Sequence, residues 1–195
     1  KRFLIDPVFS GNASPIKGTN KAYKGSDLYT ADDFETIDYL VISHDHYDHL
    51  DYKTILELKF KVKNIVCGLG VGAHFEHWGF NPNQLIELDW YEESDLLNGF
   101  KITSTPTRHF SGRTFKRNST LWSSYVLESP SQKIYIGGDS GYDFHFKEIG
   151  EKFGPFDWAI LEKGQYNKKW KYIHLLPSQF ATAAEDLNAK NVIPV

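Results

Sequence analysis

Residues 41–51 read VISHDHYDHLD, placing three histidines and three aspartates in eleven residues. They follow YLVIS (39–43), a short and almost wholly apolar run of the kind a buried strand makes. His44 and His46 are two apart, so in extended backbone their side chains share a face. Asp48 and His49 come just after, where the chain must turn. A strand end followed by a turn thus presents two adjacent pairs of donors. Imidazole and carboxylate suit zinc, manganese or iron, and two pairs suit two ions. The plain alternative is a solvated polar turn. It is disfavoured because histidine is scarce, eight in 195 residues, and three share this loop.

Two pairs of donors do not complete two metal sites, so distant members are expected at other strand ends. His109 closes FKITSTPTRH (100–109), and Asp139 closes KIYIGGD (133–139). Small residues follow each of them, Ser111-Gly112 and Ser140-Gly141. Alone, each reads as a strand-end histidine or an Asx turn. Beside H-x-H-x-D-H, they read as ligands, and an aspartate between two ions can bridge them through its two oxygens.

The rest of the chain frames that site. At 195 residues it has room for one domain with a sizeable core. A hydrophobic content of 41% and a charged content of 24% are ordinary for a globular protein. Aromatics reach 15%, which allows a dense core or an aromatic-lined cleft. The net charge of −3 gives no global basic field, so nucleic acid is not an expected partner. Cys67 is the only cysteine, which excludes an intrachain disulfide and a thiolate zinc cage and is compatible with the cytosol. No apolar run approaches the roughly 18 residues of a membrane span. The chain opens on RFLIDPVF and closes on NVIPV, both of which read as strands, so both ends are expected to fall inside a domain.

Between these ends, positions 10–35 are rich in Gly, Ser, Asn, Asp and Lys and read as a long polar loop. Buried strands are expected at 39–43 and NIVCG (64–68), with short helices around Leu50–Leu58 and over GAHFEHWG. Further strands are expected at LIELDW (85–90), 100–109 and FDWAILEKG. A hairpin should join LWSSYVLES (121–129) to KIYIGG (133–138) through Pro-Ser-Gln. FHFKEIGEKFG reads as a helix ending at Gly154, and PSQFATAAEDLNAK (177–190) as another. Strands and helices alternate first, then strands run together. The expected fold is α/β, with sheets carrying helices outside.

The chain resembles the metallo-β-lactamase fold superfamily, and within it the N-acyl-phosphatidylethanolamine phospholipase D-like hydrolases. The stretches that carry the resemblance are IDPVFSGNASP, SHDHYDHLD, LIELDWYEE, TPTRHFSGR, the N-x-x-LW of Asn118–Trp122, GGDSGY and EIGEKFGPFDWAIL. They span nearly the whole chain. The resemblance implies a four-layer αββα sandwich (α+β in some schemes) forming a single hydrolase domain over 1–195. It implies that His44, His46 and His109 bind one divalent ion, that Asp48 and His49 bind a second, and that Asp139 bridges. The ions would be Zn2+, with Mn2+ or Fe2+ as alternatives, and a hydroxide between them would be the nucleophile. The family has one more metal histidine, on the strand end after the last helix. Here it would come directly after NVIPV, so the expected domain lacks that ligand and the first strand or two.

On the substrate side, Arg108, Arg113, Lys116 and Arg117 place four cations in ten residues around His109, a group that suits a phosphate as well as it suits a solvated loop. Tyr47 lies within the metal loop and is expected to line the cleft. Lys168, Lys169 and Lys171, interleaved with Trp170 and Tyr172, read first as a solvated loop, and otherwise as a peripheral contact for a phospholipid headgroup and acyl region at a membrane surface, or as a contact for a nucleotide. His174 precedes the last helix. The resemblance places it near the active site, as proton donor to a leaving group or as substrate ligand, and with Asp48 it is the residue expected in the chemistry. Pro177 keeps the family pattern, but Ser178 and Gln179 stand where acidic residues are usual, and KGQYNKKW (163–170) is less apolar than the pattern. Asp45 and Asp51 read equally as acceptors of hydrogen bonds from ligand imidazoles and as exposed surface residues. His74, His77 and His145 are expected to be structural.

The expected activity is that of a dinuclear metal-dependent hydrolase, a phospholipase D-like zinc phosphodiesterase acting on a small-molecule or lipid phosphodiester. A lactonase or another ester or amide hydrolase on the same site is the nearest alternative, and a metal-binding protein without catalysis is the other.

Overall fold

The computed structural model describes residues 1–195 apart from 17, 26, 27, 114, 115 and 164–166. The end of the expected strand FDWAILEKG and the middle of KGQYNKKW lie outside the described residues. The chain divides into two compact units, Lys1–Glu87 with Ser111–Leu121, and Leu88–Phe110 with Trp122–Val195.

The first unit is built on the strands β1 (Phe3–Ile5), β2 (Ile37–Ile42), β3 (Val62–Gly68) and β4 (Leu85–Leu88), in that spatial order. β1 and β3 flank β2 in parallel, with Phe3 opposite Tyr39 and Val41 opposite Val66. β2 is buried along nearly its whole length. A parallel strand covered on both faces carries a continuous apolar run, which is why IDYLVI shows little alternation. Two helices, α1 (Tyr52–Leu58) and α2 (Gly72–His77), lay Ile55, Leu58 and Phe75 into one core with Leu40, Ile42 and Ile65. Asp51 starts α1 as its N-cap. Its carboxylate accepts from the Thr54 amide at 3.3 Å and the Thr54 hydroxyl at 2.5 Å. The cap therefore takes Asp51, in place of the ligand imidazole the sequence suggested.

The second unit holds a six-stranded sheet in the order β10-β9-β8-β7-β6-β5. These are β5 (Glu93–Leu96), β6 (Phe100–Pro106), β7 (Ser123–Glu128), β8 (Lys133–Ile136), β9 (Trp158–Leu161) and β10 (Val192–Pro194). β5 to β8 form an antiparallel meander, and β8, β9 and β10 run parallel. The expected hairpin is the β7–β8 pair. The helices α3 (His145–Phe153) and α4 (Phe180–Asp186) bury Phe146, Ile149 and Ala183 with Val126, Tyr135 and Ala159. Among the described residues no helix is long and apolar enough to cross a membrane.

Three expectations need correcting, and one strand, β5, was not expected at all. The strand over 85–90 stops at Leu88, because Asp89–Glu92 turns back on itself (Glu92 amide to Asp89 carbonyl, 3.0 Å) and Tyr91 adopts a φ of 67°. β5 carries no apolar signal in ESDL and is held by its pairing with β6. The strand over 100–109 ends at Pro106, so His109 stands beyond it, where the Arg108 amide donates to Ser140 Oγ at 3.0 Å. The helix expected to reach 190 ends at Asp186, and Asn188 takes the left-handed φ of 54° that asparagine tolerates. The chain then pairs Ala189 with Phe156.

Candidate metal centre

The first cluster belongs to the first unit and grows from the ends of β1 and β2. His44 is buried; His46 and His49 are half-buried; Asp48 is exposed on the turn. That turn closes on itself, with the amides of His49 and Leu50 donating to the His46 carbonyl at 3.1 and 2.8 Å.

The hydrogen bonds fix which ring nitrogens carry protons. Asp6 Oδ1 accepts from the Ser43 amide at 2.8 Å. Asp6 Oδ2 accepts from the Ser43 hydroxyl at 2.6 Å and from His49 Nδ1 at 2.9 Å. The Ser43 hydroxyl spends its proton on Asp6, so at 2.9 Å it accepts from His44 Nδ1. The His44 lone pair therefore lies on Nε2, and Nε2 faces His46 Nδ1 at 2.8 Å. Two imidazoles converging in this way through N-donor edges form the start of a zinc-type site.

Arg113 braces the same loop. Its Nη1 donates to the carbonyls of Asp45 (2.9 Å) and Leu50 (2.5 Å), and its guanidinium lies 4.3 Å from the Tyr47 ring centre. Burial lowers its pKa from the ordinary value, against the opposing pull of Tyr47, Asp45 and Asp51. Tyr47 returns the contact by donating its hydroxyl to the Arg113 carbonyl at 2.6 Å. Asp45 accepts from the Gly112 amide at 2.7 Å and lies 3.4 Å from His74 Nε2. Burial raises the Asp45 pKa, but His74, the Gly112 amide and Thr120 outweigh it and the net shift is downward. The imidazole that Asp45 meets is thus His74. Tyr47 and Arg113 also line a cleft of about 830 Å³ with Tyr52, His74, His77 and Trp78.

The second cluster belongs to the second unit. His109 Nδ1 donates to the Ile173 carbonyl at 2.8 Å, which puts its lone pair on Nε2, 3.8 Å from Asp139 Oδ2. A nitrogen lone pair and a carboxylate oxygen facing one another are a donor pair that can share a cation. The donor atoms of His109, Asp139 and His174 lie within 4.8 Å of one another. His174 Nδ1 lies 3.7 Å from Asp139 Oδ2 and 2.8 Å from Glu162 Oε2. Arg108 donates through Nη1 to the Tyr142 carbonyl (3.1 Å) and to Asp143 (2.9 Å), with its guanidinium 4.6 Å from the Tyr172 ring centre. Burial pushes the Cys67 thiol far up, so it is not a thiolate ligand.

Two acids escaped the sequence reading, Asp6 and Glu162. Each is the first polar residue after a short apolar strand, FLI-Asp and WAIL-Glu, the same placement that drew attention to His44. Burial raises the Glu162 pKa, and the neighbouring Asp139 charge adds to it, against the bonds from His174 and Ser140. In both clusters a carboxylate backs a histidine through Nδ1, the arrangement that orients metal-site imidazoles.

A family model described as "Beta-lactamase superfamily domain" matches residues 1–195. An uncharacterized protein of Mycobacterium tuberculosis is 39% identical over 189 residues, covering 95% of this chain and 50% of the relative. N-acyl-phosphatidylethanolamine-hydrolyzing phospholipase D 1 of Caenorhabditis elegans is 34% identical over 208 residues, covering 100% of this chain and 58% of the relative. The chain thus spans about half the length of these curated relatives. Among solved structures, a metallo hydrolase from the archaeon Ignicoccus hospitalis superposes with a TM-score of 0.70 at 21% identity, over 98% of this chain and 73% of its own. With its paired strand-end clusters and its two helix-bearing sheets, the chain belongs to the beta-lactamase superfamily and has the metallo-β-lactamase fold.

Proposed function

We propose that this chain carries the catalytic site of a dinuclear metal-dependent hydrolase that cleaves phosphodiesters. The observation that carries the reading is the tautomer logic of the two clusters. Hydrogen bonds to Ser43 and Ile173 put the lone pairs of His44 and His109 on Nε2, where each faces another donor atom. On the family pattern, His44, His46 and His109 would hold one ion, Asp48 and His49 a second, and Asp139 would bridge them. Zinc suits this nitrogen and oxygen donor set. When bound, such ions lower the pKa of a water and offset the negative charge that grows on a phosphoryl group.

The chain's own residues supply the rest. Asp6 holds His49, and Glu162 holds His174, which gives a proton to the departing alkoxide oxygen. Arg108, which donates to Asp143, would offer a cation to the phosphate, and Arg113 with Tyr47 would hold the shape of the loop that bears the metal histidines. The cleft beside Tyr47 has aromatic walls and cationic groups, which suits a substrate with an anionic head and an apolar body. The name of the worm relative points the same way, toward a lipid phosphodiester.

The test loads purified full-length protein with zinc, counts ions by elemental analysis, and measures hydrolysis of bis(p-nitrophenyl) phosphate and N-acyl-phosphatidylethanolamine. Two ions per chain and metal-dependent turnover are expected. Turnover confined to a lactone or carboxylic ester panel would move the substrate class to carbonyl compounds. Metal binding with no turnover on any of these substrates would leave a non-catalytic binding protein.

A further inference from the structure

Glu162 stands one residue past β9, and one carboxylate there serves three partners. Its Oε1 accepts from the amides of Ser140 at 2.6 Å and Leu175 at 3.1 Å. Its Oε2 lies 2.8 Å from His174 Nδ1. Ser140 follows Asp139 and Leu175 follows His174, so the carboxylate ties together the two segments that carry these residues. A second carboxylate oxygen, Asp139 Oδ2, lies 3.7 Å from the same Nδ1. An ionised Glu162 carboxylate only accepts, so the nitrogen it meets at 2.8 Å is the one that carries hydrogen.

We infer that Glu162 is a positioning residue that locks His174 in its Nδ1–H tautomer and leaves Nε2 as the atom that exchanges protons with substrate. The catalytic consequence rests on the reading of His174 as proton donor, whereas the tautomer is a property of the chain itself. The proton balance is simple. The imidazolium gives its Nε2 proton to the departing oxygen, and the neutral ring that remains is the Nδ1–H form that Glu162 already selects. No rotation or second proton transfer is needed.

The variant Glu162→Gln separates this role from a packing role. Two backbone N–H groups hold the Oε1 position, so the amide oxygen must sit there and the NH2 must face His174 Nδ1. That nitrogen then has to accept, and the neutral ring switches to Nε2–H. Long-range 1H–15N spectra of metal-free, histidine-labelled protein at pH 8 read the tautomer directly, with His174→Gln identifying the resonance. Nδ1–H in the unaltered chain and Nε2–H in Glu162→Gln are expected. Nε2–H in the unaltered chain, or Nδ1–H retained in Glu162→Gln, overturns the inference. If Glu162→Gln does not fold, the spectrum of the unaltered chain decides. In zinc-loaded protein, Glu162→Gln should keep its metal content and lose on the order of 10²–10⁴-fold in kcat. An unchanged kcat overturns the positioning role. If the unaltered protein hydrolyses no phosphodiester, the proposed activity fails while the tautomer result still stands or falls by itself.

Discussion

Asp6 Oδ2 accepts a hydrogen bond from His49 Nδ1 at 2.9 Å while Asp6 also takes both the amide and the hydroxyl of Ser43. One acid at the end of β1 therefore sets the rotamer of a candidate ligand and, through Ser43, the tautomer of His44. Asp6→Asn keeps the shape but replaces one acceptor oxygen with a donor, which opposes donors already in place. Zinc affinity should fall by about 10–100-fold, the usual effect of removing the partner behind a metal-binding histidine. Competition against a chromophoric chelator measures it. Unchanged affinity in a folded variant would confine Asp6 to a structural role.

Arg113 braces the metal loop through a single nitrogen placed on the carbonyls of Asp45 and Leu50. Arg113→Lys keeps the charge but loses the planar guanidinium that lies against Tyr47 and fixes Nη1 between the two carbonyls. A buried acceptor left unsatisfied costs about 1–3 kcal/mol, and the unfolding free energy should drop by that amount. Urea titration of the metal-free chain checks it, since metal binding would mask the loss. A variant as stable as the unaltered chain would show that the loop holds its shape without the brace.

Much of this was legible in the sequence, for reasons that particular residues make plain. IDYLVI announces β2 because a strand buried on both faces carries a nearly continuous apolar run, here interrupted by Asp38. His44, His46 and His49 stand out because three histidines in one loop have no cheap structural explanation. ESDL is silent because β5 is an edge strand whose existence depends on the register of β6, and that is non-local information. Asp6 and Glu162 were missed for a different reason. A single acid after an apolar run is as common in turns as in sites, and only the fold shows that one meets His49 and the other His174. The end of α4 was missed because Leu187 continues the helical pattern while Asn188 already bends away.

Gly150 lies in α3 where the backbone of Asp186 and Leu187 passes close by. A Cβ at Gly150 would overlap the Asp186 carbonyl oxygen and come within 2.9 Å of Leu187 Cα. Alanine improves intrinsic helix propensity by about 1 kcal/mol. Forcing two backbones apart in a packed core costs about 3 kcal/mol. The cost wins, and Gly150→Ala should destabilise the chain by about 2 kcal/mol in chemical unfolding. A neutral or stabilising result would mean that α3 and α4 can separate without loss.

His145 opens α3 with its Nε2 3.1 Å from Ser140 Oγ, the hydroxyl that also receives the Arg108 amide. Burial pushes its imidazole down from 6.5 to about 4; Asp143 opposes this and Arg108 adds to it. The folded pKa is below the unfolded one, so between these values the unfolded chain binds a proton that the folded chain refuses. The stability from this residue is complete above pH 6.5, falls as the pH drops toward 4, and changes no further below that. The full difference is about 3 kcal/mol at most. Other histidines titrate over the same range, so the comparison must be with His145→Gln. That variant should be less stable at pH 7, and the gap in urea midpoint should close as the pH is lowered to 4. A gap that stays constant with pH would mean that His145 takes up its proton as readily in the folded chain as in the unfolded one, and that Ser140 does not depend on a neutral imidazole.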